Sequence, residues 1–203
     1  MTGLPVDLTD VLAARELIAD VVRHTPLTGL RPLTERCGGP VWLKCENLQR
    51  AGSFKIRGAY TRLARLSDDE QNLGVVAASA GNHAQGVALA AQMLGVKVTV
   101  FMPEGATLAK VSATRGYGAD VRFHGQTLGD SIDAARAFCD ESGRPFIHPY
   151  DHRDIVAGQG TVGLEILEQC PEVRTIVVCT GGGGLLAGIA TAVKGLRPDV
   201  KVV

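Results

Sequence analysis

Aromatic side chains are scarce in this chain of 203 residues: Phe, Trp and Tyr together make up 4%. With 45% hydrophobic residues and 25 glycines, a core has to be built from Ala, Val, Leu and Ile packed closely around Gly. Net charge is also missing, since 21 Lys and Arg offset 21 Asp and Glu. There is no basic block and no interleaved aromatic stripe, so neither nucleic acid nor an anionic membrane surface is an expected partner. No apolar run approaches the ~18 residues that span a bilayer. The first residues carry Asp7, Asp10, Arg15 and Glu16 in place of a signal-peptide core. Cys37, Cys45, Cys139, Cys170 and Cys179 are odd in number and nowhere form C-x-x-C. Buried, reduced thiols in a cytosolic protein are expected, not a disulfide framework or a zinc site.

Alternation of strand and helix signals is what the chain does have. An amphipathic N-terminal segment places Leu8, Val11, Leu12, Ile18 and Val22 on one helical side. Strand-like runs follow at 41–45, 75–78, 96–102, 120–123, 145–147, 175–179 and 200–203. Helix-like runs lie between them at 54–66, 84–94, 108–115, 128–141, 155–169 and 185–193. Gly95 and Gly116 stand where helix-terminating glycines belong. Such alternation predicts an α/β fold around mostly parallel sheets. The last run, ending Lys201-Val-Val203, reads as a strand without a covering helix, so the chain is expected to be a fragment.

Open α/β sheets bind ligands at the carboxyl ends of their strands, and three strand-to-helix junctions are chemically unusual. Gly181-Gly-Gly-Gly184 joins a strand run to the helix run opening at Leu185. Bare backbone N–H groups at a helix start make an anion site, most often for phosphate. A Walker loop is excluded because Leu185-Leu186 stands where Gly-Lys-Ser/Thr would follow. A dinucleotide fingerprint fits only loosely, as Gly182-x-Gly184-x-x-Ala187. A Cβ at Gly182 or Gly183 is expected to intrude on a bound phosphate.

The second junction is Ser79-Ala80-Gly81-Asn82-His83, whose small residues and free N–H groups suit a carboxylate. Asn82 reads equally well as a helix N-cap, and the His83 side chain as a structural one. The third is Gly52-Ser53-Phe54-Lys55-Ile56-Arg57-Gly58-Ala59. Lys55 falls in a first helical turn with apolar neighbours, where both the dipole and desolvation favour a neutral, nucleophilic amine. His148 and His152, with Asp151 and Asp154 nearby, are separated by Pro149 and read as an exposed loop, not a metal site.

A Schiff-base lysine, a phosphate cradle and a carboxylate loop in one chain point to pyridoxal 5′-phosphate. In order and spacing, the segments 52–59, 79–86 and 181–185 resemble the fold-type II pyridoxal-phosphate enzymes, which are tryptophan synthase β-like. Within them the chain is most similar to the threonine dehydratase (threonine ammonia-lyase) family, with serine racemase as the neighbouring reading. Thr25-Pro26-Leu27, Lys44-Cys-Glu-Asn-Leu-Gln49 and Ala157-Gly-Gln-Gly-Thr161 add to the likeness. The resemblance implies a larger domain of residues 1–72 plus 150–203, with a smaller inserted domain of 73–149. It implies that Lys55 attaches the cofactor and takes the α-proton, that Phe54 lies along the pyridine ring and that Asn82 reaches the 3′-oxygen. Gly181, Gly182, Gly183, Gly184 and Leu185 would hold the phosphate. Ser79, Ala80, Gly81, Asn82 and His83 would take the carboxylate of a small amino-acid substrate. Serine racemases of this kind carry Ser where this chain has Ala80, which favours elimination over racemisation. A homo-oligomer and a cytoplasmic setting are expected as well. The resemblance also implies a Ser or Cys partner for the pyridine nitrogen, expected from a segment past Val203. A nucleotide-binding α/β module is the reading outside the family, and a pyridoxal-phosphate-binding fragment without turnover is the third.

Overall fold

The structure is a computed structural model and describes residues 6–203. Helix α1 (Leu8–Leu17) opens on a capping box in which the Asp7 and Asp10 side chains take each other's backbone N–H. Val11 and Ala14 are its buried residues, and Ile18 is buried just past its end. Leu12, expected on the same side, is 40% exposed. Strand β1 (Leu27–Gly29), helix α2 (Arg31–Cys37) and strand β2 (Trp42–Lys44) follow. The run at 41–45 does not join a parallel sheet. It pairs antiparallel with β1, Leu27 opposite Lys44. Two 3₁₀ turns, Glu46–Leu48 and Arg50–Gly52, lead into α3 (Lys55–Ala64) and then α4 (Asp68–Leu73).

Strands β3 (Val75–Ala78), β4 (Val98–Met102) and β5 (Asp120–Phe123) form a parallel sheet in that order. Its β3 and β4 are buried at every position. Helices α5 (Asn82–Leu94), α6 (Leu108–Gly116) and α7 (Leu128–Ser142) make the crossovers. The run at 145–147 contributes only a parallel bridge, Val76 to Phe146, since Pro145 starts it and Pro149 closes it. Gly95 caps α5 in the left-handed region, as its position predicts. Gly116 instead ends α6 as a helical residue, and Gly118 takes the positive φ of +85°.

The long helix α8 (Arg153–Gln169) is followed by β6 (Thr175–Ile176), α9 (Gly184–Leu196) and β7 (Lys201–Val202). The β6 and β7 strands pair in parallel, and a further bond from Val178 N–H to the Val203 carbonyl extends the contact. The main apolar cluster runs from Ile18 and Val21 through Ile56 and Leu63 on α3. It continues into Val75, Val100 and Val121 of the sheet, and on to Ile147 and Ile155. A second cluster packs Val162 and Ile166 of α8 with Ile176, Ile189, Val193 and Val200.

All five cysteines are free. The expectation that they are buried holds for Cys170. Cys37, at the end of α2, and Cys179, in the segment between β6 and α9, are exposed, and Cys45, just past β2, and Cys139 on α7 are half-buried. Among the described residues no helix is long and apolar enough to cross a membrane.

Candidate active site

Two of the three unusual junctions meet. A cavity of about 370 Å³ is lined by Phe54 and Lys55 at the start of α3, by Cys179 to Gly183, and by Leu185 and Leu186. That volume is within the usual range for a small-molecule site. Lys55 opens α3 directly after Phe54, and the Arg57 N–H closes the first turn onto the Phe54 carbonyl at 3.0 Å. The lysine Nζ donates to the Pro149 carbonyl at 2.7 Å and lies 5.3 Å from the centre of the Phe54 ring. Burial lowers the pKa of this amine below the ordinary lysine value. A partly desolvated amine held by one neutral acceptor gives up its proton more readily and is a better nucleophile.

Across the cavity, Gly183 precedes α9 with a φ of +86°, a conformation in which glycine is favoured. The first intrahelical bond of α9 runs from Ala187 N–H to the Gly183 carbonyl at 2.8 Å. The N–H groups ahead of it have no helical partner and stand at the positive end of the dipole. The reason for glycine differs along the tetrad. A Cβ on Gly181 would meet nothing within 4 Å. One on Gly182 would lie 2.2 Å from the Tyr150 ring, and one on Gly184 would lie 2.8 Å from the Tyr150 carbonyl. The expected obstruction of a phosphate at Gly182 and Gly183 is thus overlaid by contact with Tyr150 at one and by backbone geometry at the other.

The remaining junction does not line this cavity, but it is close. Gly86, one turn into α5, packs on Lys55 so tightly that a Cβ would lie 3.0 Å from the lysine's own Cβ. Asn82 stands four residues earlier, on the same side of α5. Its side chain is exposed and is not the N-cap; Gly81 is, with no side-chain bond. Ser79 Oγ accepts from Gly81 N–H at 3.1 Å, and Ala80 is half-buried. His83 turns inward, 4% exposed, with Nε2 3.0 Å from the Ile147 carbonyl, leaving its backbone for any ligand. His148 and His152 are occupied locally. The first accepts from Asp151 N–H at 2.8 Å, and the second caps α8 by accepting from Asp154 N–H.

The segment Ile147 to Tyr150 was not anticipated as part of the site. In the sequence only His148 and Pro149 set it apart, and neither points to contact with both Lys55 and the glycine tetrad.

An exposed row of N–H groups, a nucleophilic lysine and an aromatic ring around one cavity together match the needs of an aldehyde cofactor bearing a phosphate. A family model described as "Pyridoxal-phosphate dependent enzyme" matches residues 18–203, and the chain belongs to that family. It is 48% identical over 198 residues to an L-threonine ammonia-lyase of Thermotoga maritima, covering 98% of this chain and 49% of that protein. It is 47% identical over 200 residues to the catabolic L-threonine dehydratase TdcB of Escherichia coli K12, covering 98% and 61%. The structure superposes on that of maize serine racemase with a TM-score of 0.94 at 36% identity, over 97% of this chain and 60% of that one. The fold is the fold-type II α/β architecture. The chain spans about half to three-fifths of the length of the relatives it matches.

Proposed function

We propose that this chain forms the lysine- and phosphate-binding part of an enzyme that eliminates the β-hydroxyl of L-threonine and, secondarily, of L-serine. The products are 2-oxobutanoate or pyruvate, with ammonia. The observation that carries this reading is the half-buried Lys55 amine in one cavity with the Gly181–Gly183 backbone. When bound, pyridoxal phosphate supplies an electron sink for the charge left at the substrate's Cα. Lys55 would hold the cofactor, and its Nζ as a free amine would take the α-proton of the substrate. Phe54 would lie along the cofactor ring, and Asn82 would reach its 3′-oxygen. The N–H groups from Gly181 to Leu185 hold the phosphate. Ser79, Ala80, Gly81, Asn82 and His83 form the carboxylate loop, with His83 contributing through its backbone.

The same reading places Lys55 and the tetrad on a larger domain of 1–72 plus 150–203, and the carboxylate loop on an inserted domain of 73–149. It also takes the working enzyme to be a homo-oligomer. Ala80 favours elimination over racemisation, because a methyl group in the loop cannot return a proton to the opposite face.

Pyridoxal phosphate added to the protein should give a visible absorption band that is lost in Lys55→Ala. Borohydride should then fix the label on Lys55. Label on Lys44 or Lys110 instead would overturn the assignment. In a form competent for turnover, L-threonine should yield 2-oxobutanoate, and efficient formation of D-serine from L-serine would overturn the role given to Ala80.

A further inference from the structure

Among the described residues the largest fully buried side chain is that of Arg57, two residues past Lys55 on α3. All five of its N–H donors are used. Nε and Nη2 grip both oxygens of Glu46, at 2.9 and 2.8 Å. Nη1 donates to Thr161 at 3.1 Å and to Glu165 at 2.6 Å, both on α8. Nη2 also reaches the Arg23 carbonyl at 3.4 Å. Behind this, the other Glu165 oxygen accepts from Lys44, whose remaining donors go to the Thr25 carbonyl at 2.7 Å and to Gln169 at 2.9 Å. Thr25 closes the circuit by donating to Glu46 at 2.6 Å. Two cations and two carboxylates thus form a neutral, fully bonded unit tying together four separate stretches of chain.

Stability alone is a poor account of such a unit, because an apolar cluster of the same volume commonly does as well or better. What directional bonds add is a single permitted rotation and register. At 100° per residue, positions 55 and 57 diverge by about 200° around the helix. Arg57 therefore grips from the side of α3 opposite the one on which Lys55 leaves.

We infer that Arg57 is a positioning residue for Lys55, locking the first turn of α3 to the Glu46 turn and to α8 so that the lysine amine is held beside the glycine tetrad. The inference rests on the reading of Lys55 as the reactive lysine. Glu46, Glu165 and Lys44 are the charged groups around Arg57; His83 and His148 are the titratable groups on which the charge of Lys55 acts.

The test follows acetylation of each lysine by mass spectrometry as a function of pH in the cofactor-free protein, beside borohydride trapping of added pyridoxal phosphate. In the wild type, Lys55 should label with a midpoint below those of the exposed Lys97 and Lys201. In Arg57→Lys and Glu46→Gln the Lys55 midpoint should move up toward theirs, and trapping on Lys55 should fall about tenfold or more. Thr161→Val, which removes the bond from Arg57 and the one to the Gly158 carbonyl but no charge, should shift Lys55 in the same direction by less. The Lys97 and Lys201 profiles should not move, whereas a merely structural loosening would move none of the three.

Folded variants whose Lys55 profile superposes on the wild type overturn the inference. Should the variants not fold, hydrogen exchange in the wild type decides. Amides 57–59 must be as protected as those of α8, and exchange as fast as in α4 overturns it. Trapping on a lysine other than Lys55 would remove the proposed function and leave the acetylation comparison to be judged separately.

Discussion

His83 shows how much a single buried group contributes to the pH behaviour of this protein. Burial, the largest cause, lowers its pKa to about 4; the charges of Lys55 and His148 act in the same direction, and the bond to Ile147 opposes them. The ring is therefore neutral near pH 7, with Nε2 as the donor to the Ile147 carbonyl. In the unfolded chain the same group titrates near ~6.5. Between those values the unfolded state binds the extra proton, so stability is lost as pH falls through that window, by up to about 3 kcal/mol. The urea midpoint should drop between pH 7 and pH 4.5, and His83→Gln should flatten that slope. The carboxylates held below their ordinary range, such as Glu165 beside Arg57 and Lys44, lose their contribution at lower pH still. A slope unchanged in His83→Gln would assign the acid loss elsewhere.

At the same scale, Gly181→Ala isolates the ligand from the protein, because a Cβ there meets nothing and no positive φ is needed. The folded variant should keep its melting temperature and bind pyridoxal phosphate more weakly, by about tenfold if the methyl meets the phosphate. Unchanged affinity would move the phosphate away from Gly181. Lys55 and the tetrad were readable in the sequence because their chemistry is local: a lysine and a run of bare backbone at helix starts. The pairing of Arg57 was not, because Glu165 is 108 residues away, and although Glu46 and Thr161 lie in segments that stand out, nothing local says what they bond.

Among the elements, α8 is the one on which the others are laid, and its glycines set how closely they approach. A Cβ on Gly158 would lie 2.6 Å from the Arg57 carbonyl and from the Gly58 Cα, both on α3. On the other side, a Cβ on Gly160 would lie 2.8 Å from the Gly188 carbonyl of α9, and one on Gly188 would lie 2.3 Å from the Val156 carbonyl. Backbone cannot yield as a flexible side chain can, so Gly158→Ala should cost on the order of 1–3 kcal/mol in urea unfolding. Gly116→Ala, with nothing within 4 Å and no positive φ, serves as the comparison and should change stability by less than about 0.5 kcal/mol. Equal effects would mean that α8 relaxes around the added methyl.

The segment Ala157-Gly-Gln-Gly-Thr161 could be read as unusual, but not which helices it faced. Strand β1 and helices α2 and α4 escaped the hydrophobic pattern. Helix α4 is Asp-Asp-Glu-Gln-Asn-Leu, too polar to show a period, although its capping box from Ser67 to Glu70 was a usable signal. Helix α2 has no buried residue, so no apolar stripe announced it.

For the molecule as a whole, the question is whether the insertion proposed at 73–149 folds as a separate body. The alternation of strands and helices made the parallel sheet legible, because each buried strand is a short apolar run between glycine-marked turns. It could not show where the apolar surfaces meet, since that depends on which helix faces lie against each other. The main cluster does not respect the proposed boundary. Ile56, Ala59 and Leu63 of α3 share it with Ala84, Val87 and Ala88 of α5 and with the sheet, and Ile155 of α8 joins from the far side. Exposing one part would uncover apolar surface on the other, at roughly 25 cal/mol per Å². Loss of the insertion's packing should therefore carry α3 and α8 with it.

The free cysteines provide reporters on the two sides. Cys139 lies on α7 within 73–149, and the buried Cys170 caps α8 outside it. Pulse labelling of both thiols across a urea series should give one midpoint, coincident with the loss of helical circular dichroism. A midpoint for Cys139 well below that for Cys170 would show the insertion opening alone, and the shared apolar cluster would then be a contact between two independently stable bodies.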